Sequence, residues 1–318
     1  LVGSEMCIRD SLNTVRLMLA IAPDVFDTPH FAMKGGTAIN MFVQDLPRLS
    51  VDIDVVMCSH EPGRDEALAI IHDELARARQ AIERQGHKVS LATASGRNKG
   101  DDVKLTVSSA EAQVKVEANY VFRGTLTPTV TRSVVPRAQA MFRVDFKVPT
   151  LADAELYGSK LVAALDRQHP RDIFDVQHMY DTHGLSPDVV TAFVGYLAGH
   201  NRPVHEVLFA KPRSLEDEYE AGFVGMTVDQ VDLAVLEAAQ SRLHHDLPRA
   251  LTEEHREFLA SLVRLEPDWS LMPYDHLRDL PAIRWKIENL GKLRTRDATR
   301  FAHQGALLEE GFAALDDS

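Results

Sequence analysis

Two stretches decide the fold: Lys34-Gly-Gly-Thr-Ala-Ile39 and, shortly after it, Arg48-Leu-Ser-Val-Asp-Ile-Asp-Val-Val-Met57. In the second, polar and apolar residues alternate. Asp52 and Asp54 therefore share one face of a strand, and Val51, Ile53 and Val55 the other. Two carboxylates this close repel unless a cation lies between them. Hard oxygen ligands of this kind suit Mg²⁺, which takes one or two carboxylates together with substrate phosphates. In the first stretch, Gly35-Gly36-Thr37 precedes an apolar helical run. Paired glycines let backbone amides approach a phosphate, and a helix start favours negative charge. Taken singly, a Gly-Gly pair is also a common turn, and Asp-x-Asp is also a common solvated strand face.

Outward from this centre, residues 12–23 read as a short amphipathic helix that stops before Pro23, and 63–85 as a helix capped by Gly86. Five strands are expected over 89–94, 103–108, 112–122, 130–135 and 141–148, separated by Ser, Gly, Asn, Asp and Pro clusters. In the third, Glu117 lies opposite the apolar face of Val114, Val116 and Ala118. A carboxylate there either completes a two-metal site or is structural. Thr150-Leu-Ala-Asp153 has a capping-box pattern that opens a helix over 151–167. From there the chain is helical, cut by prolines from Pro187 to Pro281. The layout is an α/β core over 12–149 followed by a helical domain over 150–318, hence an α+β fold.

Residues 1–11 show no clear period and resemble translated adapter read-through. They are excluded from the fold reading as a non-native leader, Cys7 with them. The chain has 318 residues, 45% of them hydrophobic, and a formal charge of −12. That balance excludes a wholesale basic coat for nucleic acid, and stable DNA binding is not expected. The most apolar stretch, 189–199, is too short for a membrane span. Two cysteines cannot make a disulfide scaffold and fit a reducing cytoplasm. The fourteen histidines lack zinc-ligand spacing. Ser4 and Ser159 lack a nucleophile-elbow context.

The order of these features resembles the DNA-polymerase-β-like nucleotidyltransferases and, more narrowly, the AbiEii/AbiGii toxin family. The resemblance rests on Lys34–Ile39 and Arg48–Asp54, on Val114-Lys-Val-Glu-Ala-Asn-Tyr-Val-Phe-Arg-Gly124, on Gly158–Arg167 and on Pro170-Arg-Asp-Ile-Phe-Asp175. Further matches are Phe223-Val-Gly-Met226, Glu266-Pro-Asp-Trp269 and Leu280–Asn289, so it spans about 12–300. The superfamily's usual Gly-Ser is Gly36-Thr37 here, with the hydroxyl kept. The resemblance implies a nucleotidyltransferase-like mixed sheet with flanking helices and a helical domain that completes the site. It also implies a toxin of a toxin–antitoxin or abortive-infection system, neutralised by an AbiEi-like antitoxin. The activity implied is transfer of NMP from an NTP to an acceptor hydroxyl, foremost a tRNA 3′ end.

Under that resemblance Asp52, Asp54 and Glu117 hold two Mg²⁺ ions, with Mn²⁺ as a substitute. Gly35, Gly36, Thr37, Arg48, Ser50, Lys160 and Arg167 contact the nucleotide, and Asp172 orients Lys160, an arginine or the incoming substrate. From the residues alone, Lys160 and Arg167 share a helix face that suits triphosphate oxygens or is merely solvated. Asp172 and Asp175 share a face one turn apart and also fit as first-turn acids. Residues 278–300 carry a net charge of +4, enough to guide RNA phosphates or to make a salt-bridged surface. Trp269 and Trp285 read as core. Two other functions stay open: a non-catalytic GTP-binding protein held by its antitoxin, and transfer to a small molecule or a protein hydroxyl.

Overall fold

The computed structural model describes residues 2–92, 102–119 and 121–316. The chain divides into two compact units, one of Leu1–Ala152 with Phe223–Gln230, the other of Asp153–Gly222 with Val231–Ser318.

The first unit is built on a mixed seven-stranded sheet. In chain order it contains α1 (Val2–Phe26), β1 (Phe31–Lys34), α2 (Gly35–Ala38, continued by a π turn over Ile39–Val43) and β2 (Ile53–Met57). Then follow α3 (Arg64–Arg84), β3 (Lys88–Ala92), β4 (Asp102–Ser108), β5 (Gln113–Asn119), β6 (Val130–Ser133), α4 (Pro136–Phe142) and β7 (Lys147–Thr150). The strand order is β3-β4-β5-β2-β1-β7-β6. β2 runs antiparallel to β1 and parallel to β5, and β1 runs parallel to β7. The two central strands are buried: Phe31, Ala32 and Met33 on β1, and Ile53, Val55, Val56 and Met57 on β2. Such continuous apolar runs mark strands covered on both faces. On α3 the buried residues Ala67, Ile71, Leu75, Ala78 and Ile82 fall three or four apart, one stripe that packs on β3, β4 and α1.

The structure differs from these expectations in five places. The first helix does not stop before Pro23; it continues to Phe26 and takes in 2–11, to which no period was assigned. Proline removes one hydrogen bond, but Val25 and Phe26 are buried, and that packing carries the last turn past it. Phe31–Lys34, read as the lead-in to a loop, is the central strand β1. The expected strand over 141–148 is helix α4 and then β7. Pro136 starts the helix at a position where its missing N–H costs nothing, and Arg143 ends it in a left-handed conformation, φ +56°. Thr150 does not cap a helix. It ends β7, where its hydroxyl accepts from Arg132 Nε at 3.1 Å and donates to main-chain oxygen, and the next helix opens at Asp153. The strand expected over 112–122 is described as Gln113–Asn119, with Val121 and Phe122 outside it. Thr93, Ala94 and Tyr120, all placed in strands from sequence, lie outside the described residues.

The second unit contains helices and, among its described residues, no strand. These are α5 (Asp153–Asp166), α6 (Pro170–Thr182), α7 (Pro187–Gly199), α8 (Val204–Leu208), α9 (Glu216–Gly222), α10 (Leu233–Arg249), α11 (Glu253–Val263), α12 (Pro281–Arg296) and α13 (Ala298–Asp316). α5 is buried nearly all round and packs on α6, α7 and α8. Its Gly158 lies against the backbone of α7: a Cβ there would sit 2.7 Å from Phe193 N and 2.8 Å from Ala192 C. By contrast, a Cβ on Gly291 of α12 would meet nothing within 4 Å.

The same chemical change should therefore have opposite signs at two helical glycines. Gly158→Ala is expected to lower the unfolding free energy by about 1–3 kcal/mol, the cost of overpacking a contact with rigid backbone. Gly291→Ala is expected to raise it by about 0.5–1 kcal/mol through helix propensity. Urea unfolding of both variants measures the two differences.

Candidate active site

In the first unit, β1 runs directly into Gly35, whose φ of +75° lies where L side chains are strained. A Cβ at Gly35 would sit 2.1 Å from Asp54 Oδ2. Glycine lets the backbone pass this close without displacing that carboxylate. Gly36 is tight in the same way, since a Cβ there would be 2.6 Å from Arg48 Nη2 and 3.4 Å from Ser50 Oγ. Thr37, 1% exposed, donates its hydroxyl to the carbonyl oxygen of Asp52. Its Oγ1 therefore accepts from Ser50 Oγ at 2.8 Å. Asn40 Nδ2 donates to Gly36 O at 2.9 Å. Arg48, 3% exposed, donates from Nη1 to Leu49 O at 2.9 Å. The chain thus brings Gly35, Gly36, Thr37, Arg48, Ser50, Asp52 and Asp54 together. Thr37 and Ser50 spend their hydroxyls tying the glycine turn to the segment that carries Asp52.

Asp52 is exposed and precedes β2, whereas Asp54 lies within it. Strand register sets the neighbours of Asp54: Lys34 on β1 and Glu117 on β5 are its partners, and Lys104 on β4 is the partner of Glu117. Partners in register share a face, so Lys104, Glu117, Asp54 and Lys34 form one row across four strands. The two acids sit between two lysines. Lys104 Nζ lies 2.9 Å from Glu117 Oε1, so Glu117 already has a cation beside it. Among the described residues no group of three or more His, Cys, Asp or Glu side chains is arranged to hold a metal ion. The carboxylates of Asp52 and Asp54 are hard oxygen donors of the kind that suits Mg²⁺, which takes one or two carboxylates together with substrate oxygens. Lys104 had no signal in sequence, because its place beside Glu117 depends on the β4–β5 register.

Lys160, Arg167 and Asp172 meet in the second unit. His169 starts α6 by accepting from Arg171 N at 3.1 Å, with Pro170 at the first helical position. This aims Asp172 and Asp175 at α5. Lys160 Nζ is 2.9 Å from Asp172 Oδ1 and 2.9 Å from Asp175 Oδ2, and all three side chains are at least 94% buried. Arg167 Nη2 closes the cluster at 2.8 Å from Asp172 Oδ2, with 62% of its side chain exposed. Burial pushes the Asp172 carboxyl up, but Lys160 and Arg167 pull it further down, to below the ordinary value. Asp175, one helical turn from Asp172, is the second carboxylate on Lys160 and has no separate signal in the sequence.

The basic segment 278–300 is not one surface. Lys286 is 4% exposed and donates to His200 O at 2.9 Å and Arg202 O at 2.5 Å. Arg284 pairs with Asp279 at 2.7 Å, and Lys292 with Glu288 at 2.5 Å. Trp285, read as core, is 50% exposed, with Lys292 Nζ 5.4 Å from its ring centroid. No helix among the described residues is long and apolar enough to cross a membrane.

The mixed sheet that carries this glycine turn and acidic strand, followed by helices, has a nucleotidyltransferase fold. The structure of MenT4, a nucleotidyltransferase toxin from Mycobacterium tuberculosis H37Rv, shares the fold with a TM-score of 0.58 and 18% sequence identity, over 89% of this chain and 98% of that one. The chain belongs to the AbiEii family, nucleotidyl transferase toxins of type IV toxin–antitoxin systems, whose profile matches residues 16–289. No curated protein sequence matches it significantly.

Two outcomes follow from the buried charges. Lys160→Met leaves two buried carboxylates without their shared cation and is expected to cost about 3–5 kcal/mol in urea unfolding. For Lys286, burial pushes the ammonium down from 10.5 to about 8. Below that pH both folded and unfolded chains hold the proton. Between it and 10.5 only the unfolded chain does, so this group makes stability rise with pH. The stability of the unsubstituted protein minus that of Lys286→Met should therefore grow between pH 7.5 and 9.5, a window set by the shifted value.

Proposed function

We propose that this toxin transfers a nucleoside monophosphate from an NTP to an acceptor hydroxyl, foremost the 3′ end of tRNA, and that a cognate AbiEi-like antitoxin restrains it in the cytoplasm. The observation that carries this reading is the contact between Gly35 and Asp54. Glycine at 35 and 36 lets the main chain lie directly against the Asp54 carboxylate and the Arg48 guanidinium, so backbone amides that suit phosphate oxygens sit beside a cation site. A solvated strand face needs no such clearance.

Asp52 and Asp54 would hold Mg²⁺, or Mn²⁺ in its place, which supplies neutralising charge to the triphosphate and lowers the pKa of the acceptor hydroxyl. The backbone at Gly35 and Gly36 receives the β- and γ-phosphates. Thr37 and Ser50 hold that turn against Asp52, so the geometry is set before the substrate arrives. Arg48 lies against Gly36 and favours negative charge there. Glu117, paired with Lys104, keeps the acidic row from repelling itself and is available to a second cation once Lys104 moves. Lys160, Arg167 and Asp172 are assigned to the nucleotide on resemblance alone. The acceptor oxygen attacks the α-phosphorus, the α–β bridging bond breaks, and pyrophosphate leaves.

The test mixes the protein with Mg²⁺, total bacterial tRNA and each α-³²P-labelled NTP in turn. Label is expected on tRNA with one or two nucleotides. Asp52→Ala should lower it by at least about 10²–10³-fold, as for loss of one preorganised electrostatic group, with the protein still folded. Full transfer by Asp52→Ala would overturn the reading. Release of pyrophosphate without labelled tRNA would move the acceptor to another hydroxyl.

A further inference from the structure

After Gly222 the chain leaves the helical unit, joins the sheet unit for Phe223–Gln230, and returns. This strap contains Phe223-Val-Gly-Met226, one of the motifs quoted above that the catalytic reading leaves unused. Main-chain contacts join it to the sheet unit. Phe223 is 1% exposed, whereas Val224 and Val228 are 55% and 59% exposed. Met226 N donates to Phe223 O at 3.0 Å, closing a turn in which Gly225 has φ +82°. Beyond the turn, Leu49 N donates to Met226 O at 2.7 Å, and Thr227 forms an antiparallel bridge with Arg48.

The pinned residues belong to the candidate site. Arg48 lies against Gly36, Ser50 donates to Thr37, and Asp52 follows two residues later. None of the residues from Arg48 to Asp52 lies in a strand of the sheet. Without a partner, their backbone would sample many conformations, and the Ser50–Thr37–Asp52 contacts would form only part of the time.

We propose that the Phe223–Gln230 strap is a positioning element of the nucleotide site, with Gly225, Met226 and Thr227 as its positioning residues. It acts by holding Arg48–Ser50, and so the glycine turn, in the conformation that accepts a triphosphate. This rests on the nucleotide reading above. The physical account is a population effect: apparent affinity falls by the fraction of molecules in which the segment is pinned.

The experiment measures binding of each of the four NTPs with Mg²⁺ by calorimetry, together with hydrogen exchange at the Leu49 amide and thermal melting. Gly225→Ala forces a side chain into the left-handed region and is expected to weaken binding about tenfold and speed Leu49 exchange, with a small change in Tm. Gly225→Asn should restore most of the affinity, because asparagine tolerates that region. Thr227→Gly loosens the strap without strain and should weaken binding about threefold, so the test survives if Gly225→Ala does not fold. Faster Leu49 exchange with unchanged affinity would overturn the inference, as would unchanged affinity in both Gly225→Ala and Thr227→Gly. If the unsubstituted protein binds no NTP, the nucleotide reading fails and takes this inference with it. If it binds, Asp52→Ala does not, and the strap variants bind normally, only the strap inference fails.

Discussion

Everything proposed for this molecule depends on one close approach: the main chain at Gly35 against the carboxylate of Asp54. The 2.1 Å between a hypothetical Cβ and Asp54 Oδ2 means that no other residue type fits without moving the acid. Glycine in an ordinary turn is chosen for its dihedral angles. Here it is needed for those and for the space. The rest of the sheet unit holds this contact in place. β1 and β2 pair in register on the buried residues of both strands. Thr37 fastens the turn to Asp52 O and Ser50, and the strap fastens the segment before it. A site for a polyanion needs its donors preset, because reorganisation would consume the binding energy.

The charges are managed by local neutralisation. In the sheet unit, Lys104 and Lys34 bracket Glu117 and Asp54 in one row set by register. In the helical unit, Lys160 lies between two buried carboxylates, with Arg167 balancing the second negative charge. Buried ions are tolerated only when paired and hydrogen-bonded. Lys286 is held chiefly by main chain: two main-chain oxygens receive its ammonium, and burial lowers its pKa to about 8 despite the nearby Glu206. A lysine in a nominally basic helix is thus an internal strut rather than a contact for nucleic acid.

Patterns within one element could be read directly. The stripe on α3, the cap at Gly86 and the spacing of Asp172 and Asp175 are local consequences of helix geometry, and the structure has them. The alternation expected over 50–57 holds only in part: Ile53, Asp54 and Val55 alternate within β2, but Asp52 precedes the strand and Val55, Val56 and Met57 are all buried. Misreadings arose where a distant partner overrode local preference. Phe31–Lys34 is too short to alternate visibly and is a strand because β2 and β7 flank it. Thr150 has the look of a cap but hydrogen-bonds across the sheet to Arg132 and Val130. Trp285, apolar by type, is half exposed beside Lys292 because the buried face of α12 is made by Ala282, Ile283, Lys286 and Leu290.

The sequence by itself determined the class of fold and the set of residues around the glycine turn. Those residues lie within about twenty positions of one another, and their types restrict the chemistry to anions and hard cations. Only the tertiary structure decided which charges face which. The pairing of Glu117 with Lys104, the enclosure of Lys160 by Asp172 and Asp175, and the bridge from Thr227 to Arg48 all join residues twelve to about 180 positions apart. Such pairs are set by strand register and helix packing, and neither is written in the local periodicity of the segments that meet.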